Sequence, residues 1–205
     1  MREFYQNPLA SRYASREMQE IFSDHRRYQI WRKLWLVLAE AEAEQGVSIN
    51  RAQLQELREH QEDINYGFAA LKEKALRNEV VAQLAAYSAQ CGKASSILSL
   101  GAGADYVIEN GDMIRLRAGL LRIKSLLVNA IAAMADFADE NRALPCLAFR
   151  QMLPARVTTL GHRAACRLAD LLADLEQLDS LLDSLRLHGC RGESGSASAS
   201  SRRWR

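Results

Sequence analysis

LRAGLLRIKSLLVNAIAAMADF, residues 116–137, decides the fold class. Leu116, Leu120, Ile123, Leu127, Ala130, Met134 and Phe137 recur at alternating steps of four and three, which lines them along one stripe of an α-helix. A second stretch, LADLLADLEQLDSLLDSL (168–185), repeats the pattern through Leu168, Leu171, Leu175, Leu178, Leu182 and Leu185. Seams of this kind are what long helices present to one another in a bundle. Helices of about 25–30 residues, roughly 40 Å long, are therefore predicted here. Apolar residues also flank the seams (Leu121, Leu126, Val128, Ile131, Leu172, Leu181). Such broad faces want several neighbours, so self-association through the long helices is expected, against the alternative of a compact monomeric bundle.

Moving outward, Trp31, Leu34, Trp35 and Leu38 share one face and predict a helix from about Arg26 to Gln45, stopped by Gly46. Asn50 three residues before Gln53 is a capping-box pattern opening a helix through about His60. One further helix is expected over 66–90, ending near Gly92. Residues 1–25 read as irregular with a short helix. The chain has only three prolines, Pro8, Pro145 and Pro154. Residues 141–153, with Pro145, are expected to form a loop, and Pro154 to open the second long helix at a first-turn position. The fold class is all-α, a long-helix bundle. The expected organisation is an N-terminal helical domain over 1–110, part of a central bundle over 111–190 and a disordered tail over 191–205, whose Ser-rich GESGSASASSRRWR cannot bury enough apolar surface to order itself.

Composition narrows the function classes. A net charge of +2 is too near neutral to demand nucleic acid or an anionic membrane as partner. No uninterrupted run of 18 apolar residues occurs, so no transmembrane helix is expected, and without an apolar leader the expected location is cytoplasmic. Cys91, Cys146, Cys166 and Cys190 form no CxxC pair. They read as reduced thiols rather than a metal site, and no metal or organic cofactor is implied.

Six stretches, in order, resemble adenylosuccinate lyases of the fumarase/aspartase superfamily: NPLASRYAS (7–15), WRKLWLVLAEAEAEQG (31–46), ALRNEVVA (75–82), LGAGADYV (100–107), LPCLAFRQMLPARVTTLGHR (144–163) and GCRGESGSASAS (189–200). The resemblance is to the family's N-terminal part and covers almost the whole chain to about Ser200. It implies an all-α homotetramer with shared active sites. It also implies a β-elimination in purine biosynthesis that releases fumarate from adenylosuccinate and from succinyl carboxamide ribotide. That chemistry needs a base for a Cβ proton, an acid for the departing nitrogen and donors for a phosphate and two carboxylates.

Carried over residue by residue, the resemblance makes Arg12 and Tyr13 phosphate ligands and places Arg77, Asn78 and Glu79 in a substrate-binding motif, where the family reads Arg-His-Asp. Gln83 and Ala85 stand where histidines are usual. Gly103 and Ala104 replace two hydroxyl residues that would grip a carboxylate. Arg150 and Gln151 replace a Thr-His pair whose His is the general acid, and Ala197 replaces a substrate-binding Gln. The family's catalytic Ser loop belongs to sequence beyond this stretch. No catalytic residue is therefore intact, and the chain is expected to be inactive alone. Three roles remain open: a degenerate lyase that still holds a purine nucleotide or phosphate, a non-catalytic partner of itself or of a full-length lyase, and an inert relic.

Overall fold

The computed structural model describes residues 7–98 and 100–190. The chain is mostly helical, as the seams require, and divides into two compact units: residues 1–116 with 186–205, and residues 117–185.

The first unit is organised around α2 (Asp24–Glu44). Ser23 caps it by accepting from the Arg26 N–H, and Gly46 ends it at φ +91°, a left-handed conformation open to glycine. A short α1 (Arg16–Ile21) precedes it. α3 (Arg51–Glu59) opens with the capping box expected from Asn50 and Gln53. The single helix expected over 66–90 is instead two, α4 (Tyr66–Leu76) and α5 (Glu79–Gln90). The break falls at Arg77, which caps α4 in the left-handed region at φ 52°, and at Asn78, whose side chain accepts from the Val81 N–H to start α5. The apolar faces of these helices close over Tyr28, Trp31, Leu34, Trp35, Leu57, Val80 and Tyr87. α6 (Ala104–Glu140) begins in this unit, where Gly111 lets Trp31 approach: a Cβ there would lie 3.1 Å from the indole.

A charged side chain of α2 lies against this core. Arg32 is 1% exposed. Its guanidinium donates to the carbonyls of His60 and, at 2.6 Å, Asp63, and to Gln90 Oε1 at 2.8 Å. It also sits 4.5 Å from the Tyr87 ring centroid. Tyr87 in turn donates its hydroxyl to the Leu57 carbonyl at 2.6 Å.

In the second unit, α6 continues to Glu140 and α7 runs from Leu160 to Ser184. The less exposed positions of α7 include Leu168, Leu171, Leu175, Leu178 and Leu182, the predicted seam. Lys124 pairs with Asp179 at 2.5 Å, and Arg117 donates to the Leu182 carbonyl at 3.1 Å. Gly161 fixes the return of the chain: a Cβ there would lie 2.3 Å from the Ala138 carbonyl oxygen.

Two expectations fail between these helices. The expected loop over 141–153 is largely a strand of a hairpin, β1 (Pro145–Arg150) paired antiparallel with β2 (Leu153–Thr159), so the chain is not purely α. Pro154 lies in β2 opposite Phe149, at a register shift that tolerates its missing N–H, and α7 starts at Leu160 with Thr159 as its cap. α6 contains an 18-residue window of mean hydropathy 1.5, long and apolar enough to cross a membrane by length and composition. Arg122 and Lys124 interrupt it, which is why no unbroken apolar run is visible in the sequence.

Replacing Arg32 by Met keeps the apolar stem and leaves three acceptors without their donor. A loss of about 3 kcal/mol or more is expected, read by urea denaturation on tryptophan fluorescence. Arg32→Lys should restore only part of it, because an ammonium cannot reproduce the planar fork.

Candidate functional site

The residues singled out by resemblance fall in four places. Arg12 and Tyr13 lie in the turn before α1, where Asn7 Oδ1 accepts from the Leu9 N–H at 2.8 Å and the Ala10 N–H at 3.0 Å. Both side chains are exposed, Tyr13 by 78%. Tyr13 lines a groove of about 530 Å³ together with Leu9, Met18, Phe22 and Arg115. Arg115 is committed there: it donates to the Phe22 carbonyl at 2.8 Å and pairs with Asp112 at 3.1 Å.

The second place is the α4–α5 junction. Arg77 is exposed, with its backbone N–H bonded to the Glu73 carbonyl at 2.7 Å. Asn78 uses its amide oxygen as the α5 cap at 3.1 Å. Glu79 turns toward α2, where Tyr28 donates to Glu79 Oε1 at 2.6 Å and Arg27 pairs with the same oxygen. Burial, reinforced by the bond to Glu79, pushes the Tyr28 hydroxyl up to about 12. Arg27 further lies 5.4 Å from the Trp31 ring centroid. Glu79 is thus already neutralised by helix packing. Among the described residues no hydrogen bond or ion pair joins Arg12 or Tyr13 to Arg77, Asn78 or Glu79.

The third place is the turn into α6. Gly101 is left-handed at φ 78°, and Gly103 and Ala104 lead into the first helical turn, where the exposed Asp105 suits the helix N-terminus. Tyr106 and Asn110 serve packing, whereas Asp112 is exposed: Asn110 is 1% exposed, donates to the Tyr106 carbonyl at 2.7 Å and accepts from the His188 N–H at 2.7 Å.

The fourth place, in the second unit, is the hairpin tip. Gln151 and Met152 both have positive φ, 50° and 65°, and connect paired Arg150 and Leu153. Left-handed geometry at both central residues is the signature of a type I′ turn. Arg150 and Gln151 are exposed. Ala197 lies outside the described residues.

Sequence reasoning did not single out Arg27, Tyr28 or Glu42. Glu42 lies in the last turn of α2 at 1% exposure with neither carboxylate oxygen hydrogen-bonded. Burial pushes its carboxyl above the usual carboxylate range. No spacing in the sequence marks it, because it reads as one of several glutamates on an Ala-Glu run. Among the described residues no group of three metal-ligating side chains converges.

The chain is 38% identical to adenylosuccinate lyase from Schistosoma mansoni over 94% of its own length and 40% of that protein. It is equally 38% identical to adenylosuccinate lyase from Saccharomyces cerevisiae, over 93% of this chain and 40% of that protein. It thus spans about 40% of the length of the curated relatives it matches. Among solved structures it resembles 3-carboxy-cis,cis-muconate lactonizing enzyme from Pseudomonas putida, with TM-score 0.84, 22% identity and coverage of 97% of this chain and 47% of that one. It also resembles fumarate lyase from Mesorhizobium sp. BNC1, with TM-score 0.78, 19% identity and coverage of 91% and 45%. These likenesses carry the fold alone. No protein-family model matches the chain.

The junction yields opposite expectations for neighbouring residues. Arg77→Gly should leave stability unchanged or raise it by about 1 kcal/mol, since glycine takes the left-handed region without a Cβ clash. Asn78→Ala should lower it by about 1 kcal/mol through loss of the cap. Thermal denaturation of the two variants side by side measures both.

Proposed function

We propose, for a chain homologous to the N-terminal part of the adenylosuccinate lyases, that it is an adenylosuccinate lyase-like protein of purine nucleotide biosynthesis that is catalytically degenerate on its own. The observation that carries this reading is the hairpin tip. Where the resemblance calls for a general acid, Gln151 offers an amide, which has no protonation equilibrium in the working pH range. The junction supports it: Asn78 cannot carry a proton at neutral pH and is occupied as a cap, and Glu79 is occupied by Arg27 and Tyr28. The resemblance assigns Arg12 and Tyr13 to a phosphate, and their exposure keeps both available to one. The reading requires no metal or organic cofactor and a cytoplasmic setting.

A second role, partner of itself or of a full-length lyase, is favoured by the apolar side chains that the second unit exposes along its long helices: Leu121, Leu126, Val128 and Phe137 on α6, Leu172 and Leu181 on α7. Each is between 43% and 48% exposed, which is costly for residues of this size in such number.

One assay addresses both roles. Loss of adenylosuccinate absorbance is followed with the purified chain alone and mixed with a full-length lyase. Alone, the rate should lie at least about 100-fold below that of the full-length enzyme, the usual cost of a missing acid–base group. Turnover at the full-length rate would overturn the reading. In the mixture, a changed rate supports the partner role, and an unchanged rate with no shared species in sedimentation removes it.

A further inference from the structure

Glu42 has no part in the reading above and poses a separate physical problem. Its carboxylate is enclosed at 1% exposure, and neither oxygen has a hydrogen-bond partner. What encloses it is the turn that leads into α6. A Cβ built on Gly101 would lie 2.1 Å from Glu42 Oε1 and 3.9 Å from Leu38 Cδ1, so the carboxyl fills the space a side chain would take. Gly101 is left-handed at φ 78°, and the Ala102 N–H folds back on the Leu100 carbonyl at 3.0 Å. Glycine therefore meets two demands here, a backbone conformation and a place for the carboxyl. Leu38 faces the group from α2 and Gly101 from the turn, and neither can titrate. From the segment after α7, Cys190 is the titratable group set against it among the described residues, and its thiol is pushed up by burial and by Glu42. Among the described residues no cation is set against Glu42.

An ionised carboxylate in such a place has lost water and gained nothing, and it either takes a proton or leaves. We propose that Glu42 is a proton-operated latch on the 100–103 turn: as the neutral acid it seats against Gly101, and on losing its proton it swings out and releases the turn and the first turns of α6. The turn is the one the resemblance gives to ligand binding, but the latch stands on the packing of Glu42 and does not depend on that role.

The sign follows from linkage. A carboxyl whose folded pKa is raised favours the closed form fully below its ordinary pKa, and that preference is lost as pH rises through the raised value. Hydrogen exchange of peptides covering 100–106, in the full chain across pH 4–9 and normalised to Glu42→Gln, is the experiment. Opening of the turn relative to the variant should rise about tenfold per pH unit between the ordinary and the raised pKa, then level off. The variant, neutral at every pH, should show only the intrinsic base catalysis of exchange. Equal pH profiles for the two proteins would overturn the latch. Should Glu42→Gln fail to fold, the Glu42 Cδ resonance in the wild-type chain decides: a midpoint well above those of the exposed glutamates supports the latch, and a midpoint among them refutes it.

Discussion

The first unit depends on a single buried guanidinium. Arg32 ties the middle of α2 to the end of α3, to the loop before α4 and to the end of α5, through two carbonyls and one amide. A charge inside a core is tolerated only when its donors are met, because an unmet donor there forfeits its bonds to water. Here the met donors also specify geometry: a planar fork fixes where three separate chain segments stop. The apolar core around Trp31, Trp35 and Tyr87 supplies the driving force, and Arg32 supplies the registry. Tyr87 joins the two by presenting its ring to Arg32 and its hydroxyl to Leu57.

The same economy explains why the candidate site is so thin. Glu79 and Asn78 occupy motif positions, yet each has a complete structural occupation. Arg27, one turn upstream of Trp31, both neutralises Glu79 and stacks on the aromatic cluster, so the pair would cost stability to dismantle. A ligand that wanted Glu79 would have to outcompete a cation already in place. Arg12 and Tyr13, both exposed, face no such competition.

How much was legible follows from where side-chain pattern and backbone geometry diverge. The two long helices over 116–137 and 168–185, the capping box at Asn50 and the stop at Gly46 were readable because apolar period and cap chemistry are written in residue type, although Leu116, Ile123 and Phe137 of the first seam stay exposed. The break at Arg77 and the hairpin tip at Gln151–Met152 were not. Both need positive φ, the usual signal is glycine or asparagine, and here arginine, glutamine and methionine sit there instead. Without that signal, helix propensity on either side of Arg77 runs on, and 144–159 reads as a loop into a proline-started helix. Of the candidate site, the residues were found through resemblance rather than through physics, and the buried Glu42 escaped both.

The hairpin separates what the scaffold requires from what chemistry would require. Its tip conformation is imposed by the Arg150–Leu153 pairing and the two-residue connection, while the side chain of Gln151 is exposed. A histidine at 151 would meet the same backbone strain and displace no packed neighbour, so folding is nearly indifferent to which of the two stands there. The positions that folding does constrain are elsewhere: Gly161, where a Cβ would strike the Ala138 carbonyl, and Thr159, whose hydroxyl caps α7. The fold is therefore independent of whether an acid–base side chain stands at the tip, and the architecture of this chain constrains the chemistry at that edge only weakly.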